Sequence, residues 1–195
     1  MGAVGTDQHH LSFLDHLPLT QDAFLYAEDR HGGQRREADG ASFVLHLVEV
    51  ASLLERSGYP DHVVAAAILH DILEDTDTER RELEDRFGAR VAELVSAVSD
   101  DPRIEDEGEQ KDEVRERVRD AGGNAAVVYA ADKISKVREL RLLMTRDPGD
   151  REIETKLQRY RASLAMLERV SPDNRLVELL RFELEALEGL PPRVG

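Results

Sequence analysis

Residues 61–76 read DHVVAAAILHDILEDT, and this stretch organises the reading of the whole chain. Val63 to Leu69 is apolar nearly all round, the pattern of a helix enclosed in the middle of a bundle. It is also the longest apolar run in the protein, far too short to span a bilayer. It leads directly into His70, Asp71, Glu74 and Asp75, four ionisable residues at the end of the most apolar helix. A helix over about Asp61–Leu73 would set His70 and Glu74 one turn apart, and Asp71 and Asp75 likewise. Consecutive positions on such a helix differ by about 100°. His70 and Asp71 therefore share a target only if it sits over both faces. A metal ion meets that condition, since it accepts an imidazole nitrogen and a carboxylate oxygen together. A His-Asp pair at a helix end also has a plainer use as a satisfied boundary pair, and this stretch alone leaves both open.

Outward from here the chain reads as helices almost throughout, rich in Ala, Leu, Glu and Arg and poor in β-branched alternation. Thr20 is expected to cap a first helix running to about His31, ended by Gly32 and Gly33. A second is expected over Ser42–Arg56, with Phe43, Leu47, Val50 and Leu54 on one face. After the central helix, Thr78 is expected to open a short helix to Phe87. Val91, Leu94, Val95 and Val98 mark the buried stripe of the next. The charge-dense stretch Asp100–Asp120 reads as a loop and an exposed helix; Glu105–Glu116 is either a solvated face or a rim of a pocket. Gly122 and Gly123 break it before a long helix over about Asn124–Met144. Asp147-Pro148-Gly149-Asp150 has turn chemistry. Two amphipathic helices follow, the last expected to start at Ser171-Pro172. The expectation is one all-α helical bundle over residues 19–190, preceded by a lead-in over residues 1–18. His9, His10 and His16 lie in that lead-in and are expected to be exposed.

Composition narrows the chemistry. There are 195 residues, with 26 Lys and Arg against 41 Asp and Glu, for a net charge of −15. That balance argues against a nucleic-acid polymer or an anionic membrane as a broad-surface partner. With no cysteine there is no disulfide, iron–sulfur cluster, thiolate zinc site or cysteine nucleophile. The start of the chain lacks a basic segment followed by an apolar core, so a cytoplasmic location is expected; Gly2 to Thr6 has only a weak formal match to a myristoylation pattern. Oligomeric state is not legible. All seven histidines fall in the first 70 residues, so any metal site draws its imidazoles from there.

Two more positions strengthen the metal reading. His46 interrupts an apolar helix face between Leu45 and Leu47. Asp132 follows the run Ala125 to Ala131, where an unpaired carboxylate would cost several kcal/mol by order of magnitude and a nearby cation would offset it. Together the chain offers two imidazoles and two carboxylates from three helices.

The order His46, His70-Asp71, Asp132 resembles the HD-domain metal phosphohydrolases, and most closely the hydrolase domain of the RelA/SpoT homologues, in particular the stand-alone small alarmone hydrolases. The resemblance covers about Ala23 to Leu140. It rests on His31-Gly32-Gly33-Gln34-Arg35-Arg36, the surroundings of His46, Ala66 through Thr76, Phe87-Gly88-Ala89-Arg90-Val91, and Ala131-Asp132-Lys133-Ile134. It implies a helical bundle and an Mn2+-dependent enzyme that removes pyrophosphate from the 3′ position of (p)ppGpp. His46, His70, Asp71 and Asp132 match the metal ligands. Glu74 and Asp75 match the acidic pair of water activation, and Arg36 matches an arginine lining the nucleotide pocket. The absence of histidine after His70 favours one ion over two.

The chain departs from the family at several points. Leu47 replaces a proline, Glu37 a basic residue, and Ser135-Lys136 an aromatic or His followed by Asn. Lys136 lies one turn from Asp132; it is either a solvated lysine or a phosphate partner beside the metal. Because the hydrolytic residues are intact and parts of the nucleotide wall are altered, hydrolysis is better supported than the nucleotide's identity. A phosphohydrolase of another nucleotide, such as an adenosine analogue, and a sensing domain without turnover remain the alternatives; the Glu74-Asp75 pair weighs against the second.

Overall fold

The computed structural model describes residues 12–146 and 150–189. Gly2 to Thr6, His9, His10, Leu190 and the turn residues Asp147, Pro148 and Gly149 lie outside them. Ten helices run in order: α1 (Pro18–Arg30), α2 (Val44–Arg56), α3 (Asp61–Ile68), α4 (Ile72–Asp75), α5 (Arg80–Phe87), α6 (Ala89–Val98), α7 (Glu107–Ala121), α8 (Gly123–Arg146), α9 (Arg151–Val170) and α10 (Arg175–Glu188), among the described residues. The single β feature among these residues is a bridge between Arg35 and Ser42, which closes the loop after α1. The chain is all-α, as expected. A 3-10 turn at Ser12–His16 docks Phe13 and Leu14 into the same core as the helices, so part of the expected lead-in belongs to the packed body. His16 points outward, 3.7 Å from Glu55.

α3 is the axis of the bundle. Val63 through Ile68 are fully buried, packed by α1, α2 and α6. Thr20 does not cap α1; Pro18 opens that helix, and Thr20 is buried inside it. Its cap comes instead from Asp61, whose carboxylate accepts from Leu19 N at 3.0 Å and from Thr20 N at 2.9 Å. The Thr20 hydroxyl donates to the same carboxylate at 2.6 Å. One negative charge thus sits at the N-terminal ends of both α1 and α3, where the helix dipoles favour it. The two helices start together and run side by side, which delivers the loop after α1 to the end of α3.

The expected continuous helix over Asp61–Leu73 is interrupted. α3 ends at Ile68, and α4 begins at Ile72. Leu69 N is shared between Ala65 O and Ala66 O, both at 3.2 Å, and Ile72 N returns to Leu69 O at 3.0 Å. Neither proline nor glycine causes the break. The Nδ1–H of His70 donates to Ala67 O at 2.7 Å, taking the acceptor that Asp71 N would use in a continued helix. Leu69 and Ile72, both fully buried, anchor the turn on either side.

α8 crosses this assembly with Ala125 through Ser135 buried without interruption. It starts at Gly123 (φ 44°), just after Gly122 (φ 55°), both left-handed positions that a residue with a Cβ resists. α9 and α10 pack on α8 and close the bundle. Asp150 caps α9 by accepting from Glu152 N at 2.8 Å. Ser171-Pro172 is not the start of α10: Asn174 caps it, accepting from Leu176 N at 2.9 Å and donating to Tyr59 Oη at 2.8 Å. Thr78 likewise lies ahead of α5; its hydroxyl is taken up by Thr76 at 2.8 Å.

Candidate metal and nucleotide site

The interruption between α3 and α4 is what makes the site. On a straight helix His70 and Asp71 would diverge by about 100°; in the turn His70 Nε2 and Asp71 Oδ2 are 3.0 Å apart. α2 brings His46 to the same point, with Nε2 at 3.2 Å from His70 Nε2 and 3.4 Å from Asp71 Oδ2. α8 brings Asp132 Oδ1, 3.4 Å from His46 Nε2 and 3.5 Å from His70 Nε2. All four side chains are buried. His46, His70 and Asp132 each offer one ligand atom within 4.8 Å of the others, so they could hold a metal ion, and Asp71 flanks both histidines.

The residues fit such an ion. Ligand bonds of about 2.1 Å bring neighbouring donor atoms to about 3 Å from one another, which is the spacing found here. Asp132 Oδ1 is buried and accepts no hydrogen bond; the charge it faces is the Lys136 ammonium at 3.2 Å, a place that a metal ion could also take. The electrostatics agree. Burial pulls the pKa of His70 down, but Asp71 and Asp132 outweigh it and raise it to about 10. Burial alone would lift the Asp132 carboxyl; Lys133 and Lys136 instead hold it well below the usual range. Without an ion, protons on the imidazoles answer the carboxylates; a divalent ion displaces them.

Around this cluster stand the other expected residues. Glu74 lies at the solvent-facing edge, where its Oε1 accepts from Asp100 N at 2.7 Å. The protein packed around its carboxyl and the charge of Asp71 push its pKa up to about 7, in the range suited to a general base near neutrality. Asp75 is also exposed and is raised by burial of its carboxyl and by Asp71. Its carbonyl accepts from Gln34 Nε2 at 3.0 Å, and Gln34 Oε1 is 2.8 Å from Nδ1 of buried His31. Lys136, left open by the sequence, faces the cluster: Nζ is 3.2 Å from Asp132 Oδ1 and 3.6 Å from Asp71 Oδ1. Arg36 is held by Asp39 and lies 3.6 Å from Glu139; it does not itself line the cavity described next.

Lys136 also borders a cavity of about 260 Å3 formed by α7, α8 and α9. Its wall carries six basic side chains, Lys111, Arg115, Lys133, Lys136, Lys156 and Arg159, against three acidic ones, Glu37, Glu107 and Glu139. The rings of Tyr129 and Tyr160 supply flat apolar surface. Each of the six basic side chains is ion-paired with an acidic one, so the wall offers cations to a polyanion with an aromatic part by exchange of partners rather than by an excess of free charge. It also resolves Glu105–Glu116: Glu107, Lys111 and Arg115 are cavity rim. Apart from Lys136, the basic residues of this wall were not anticipated from sequence. Lys111 and Arg115 at i and i+4, and Lys156 and Arg159 at i and i+3, are the spacings that place each pair on one helix face, and that signal was present.

Comparison with known proteins agrees with this fold. The model of the HD domain family matches residues 23–170, and the chain belongs to that family. It is 32% identical over 146 residues to the guanosine-3′,5′-bis(diphosphate) 3′-pyrophosphohydrolase of Aquifex aeolicus, covering 72% of this chain and 21% of that protein. It is 36% identical over 118 residues to the Danio rerio guanosine-3′,5′-bis(diphosphate) 3′-pyrophosphohydrolase MESH1, covering 59% of this chain and 65% of the relative. The chain therefore spans about a fifth of the length of the first relative and just under two thirds of the second. A solved structure of a metazoan ortholog of SpoT, described as hydrolysing ppGpp, superposes with a TM-score of 0.75 at 26% identity, covering 89% of this chain and 97% of that one. Among the described residues no helix is long and apolar enough to cross a membrane.

Proposed function

We propose that this protein is a metal-dependent pyrophosphohydrolase that removes the 3′-diphosphate of guanosine tetra- and pentaphosphate, with one divalent ion, Mn2+, held by His46, His70, Asp71 and Asp132. The observation that carries the reading is the position of Lys136: its ammonium lies 3.2 Å from Asp132 in the compact imidazole–carboxylate cluster, and its side chain also lines the neighbouring cavity with its basic and tyrosine residues. The activities named for the similar proteins support the choice of substrate. Imidazole and carboxylate donors together suit Mn2+. A small-molecule nucleotide is the partner, acting in the cytoplasm, and the acidic exterior disfavours nucleic-acid polymers.

The bound ion supplies Lewis acidity toward a phosphate oxygen and the attacking water. Glu74 takes the proton from that water as its oxygen attacks the phosphorus attached to the 3′ oxygen. Asp75 orients the water. The bond from phosphorus to the 3′ oxygen breaks; that oxygen takes a proton from solvent to become the nucleotide's 3′-hydroxyl, and pyrophosphate carrying the water's oxygen is released. Lys136 holds a phosphate of the 3′-diphosphate, and the basic wall takes the 5′ phosphates. The tyrosine rings flank the nucleoside.

The test is pyrophosphate release by the Mn2+-loaded protein from ppGpp, from its adenosine counterpart and from ordinary nucleotides. Release from ppGpp in preference to the others is expected. Release from the adenosine compound alone would overturn the substrate while leaving the mechanism; no release from any, with metal bound, would favour a sensing domain.

A further inference from the structure

We propose that Ser135 and Glu49 are positioning residues that fix the tautomer of His46, so that its Nε2 presents a lone pair to the metal site. The inference rests on His46 being a metal ligand and does not depend on which nucleotide is cleaved. It follows from the direction in which a chain of hydrogen bonds must run. Ser135, fully buried on α8, has Oγ at 2.7 Å from Glu49 Oε2 and at 2.9 Å from His46 Nδ1. An ionised carboxylate can only accept, so the serine hydroxyl spends its one proton on Glu49. Its oxygen is left to accept, and the donor must be His46 Nδ1–H. Glu139 Oε1, 3.6 Å from the same Nδ1 and without a hydrogen bond of its own, favours the same assignment. With Nδ1 protonated, the neutral ring keeps its lone pair on Nε2, the atom that faces His70, Asp71 and Asp132.

The acceptor at the head of the chain is itself held. Glu49 Oε1 accepts from Arg138 Nη1 at 2.8 Å, and Arg138 Nε donates to Glu183 Oε1 at 2.7 Å. Glu183 is buried on α10 and also accepts from Arg141 Nη2 at 2.8 Å. Two guanidinium groups bind this carboxylate pair, and the C-terminal helix is thereby tied to His46 on α2. His70 gets the same treatment more simply, from the Ala67 carbonyl.

The test uses two readouts that nucleotide turnover does not enter. In wild-type protein loaded with diamagnetic Zn2+, long-range 1H–15N spectra of the His46 ring should show a protonated Nδ1 and a metal-bound Nε2; a protonated Nε2 or a metal on Nδ1 would overturn the proposal whatever the variants do. By calorimetry, Ser135→Ala should weaken Mn2+ binding by about 10- to 100-fold, as loss of a partner that orients a ligand does. Ser135→Thr, which keeps the hydroxyl, should restore most of that loss. Glu49→Gln should also weaken binding, because an amide can donate to Ser135 and release the serine proton toward Nδ1, reversing the chain. Folded Ser135→Ala that binds Mn2+ as tightly as wild type would refute the role. So would a Thr variant as weak as the Ala variant, given equal folding by circular dichroism.

Discussion

Replacing Lys136 with methionine should tighten metal binding and weaken nucleotide binding at the same time. The ammonium of Lys136 stands 3.2 Å from Asp132 Oδ1 and 3.6 Å from Asp71 Oδ1, on the two carboxylates of the proposed ligand set. A unit charge pair at 3.2 Å attracts by about 5 kcal/mol at an effective dielectric of about 20. The lysine side chain is 31% exposed, so solvent screening and the freedom of its four-carbon stem reduce the cost of displacing it to about 1–2 kcal/mol. Methionine has similar length and no charge, which removes the competition without opening a cavity. Mn2+ affinity should therefore rise about tenfold, measured by calorimetry on metal-stripped protein. The KM for ppGpp should rise by a similar factor, because a phosphate loses its nearest ammonium. Unchanged or weaker Mn2+ affinity in Lys136→Met would show that the ammonium does not compete with the ion, and the assignment of a dual position to Lys136 would fall.

Other outcomes can be checked with the same material. Glu74→Gln should retain metal by elemental analysis but lose about 10²- to 10⁴-fold in turnover; near-normal turnover would remove Glu74 as the base. Asp132→Ala should fail to retain Mn2+ through gel filtration, and an unchanged metal content would break the ligand set. Chelation of the wild-type protein should lower its thermal midpoint by about 5–10 °C relative to protein held at 100 times the Kd in free Mn2+, since such an ion contributes about 2.7 kcal/mol; identical melting curves would argue against a bound ion. Asp61→Ala strips the shared cap from α1 and leaves Leu19 N and Thr20 N without an acceptor, at a cost of about 1–3 kcal/mol, seen as a lower urea midpoint. An unaltered midpoint would show that water caps α1 equally well.

The helices were legible because burial writes its period into the sequence: the run of Val63 through Leu69 and that of Ala125 through Ala131 both turned out to be fully enclosed segments. The site residues were legible for the opposite reason. His46, His70, Asp71 and Asp132 are ionisable groups where apolar ones would fold more easily, and such a placement asks for a counter-charge. What escaped notice depends on three-dimensional partners. Thr20 has the composition of a cap, but the carboxylate that caps α1 comes from α3, 41 positions away. The turn at Leu69–Asp71 contains no helix breaker; it exists because a histidine side chain outbids a backbone amide for Ala67 O. The basic wall is spread over α7, α8 and α9, and only their packing adds its charges together. Ser135 reads as an unremarkable polar residue until Glu49 is seen to take its proton.

The turn between α3 and α4 has a consequence for anyone who would stabilise this protein. Leu69, His70 and Asp71 occupy the place where a redesign for ideal backbone geometry would restore an uninterrupted helix and choose stronger helix formers. Such a change would satisfy local helix propensity. It would also rotate Asp71 away from His70 and leave the two side chains facing different parts of the molecule. The turn that such an idealisation would remove is thus the one that brings His70 and Asp71 to within 3.0 Å of each other.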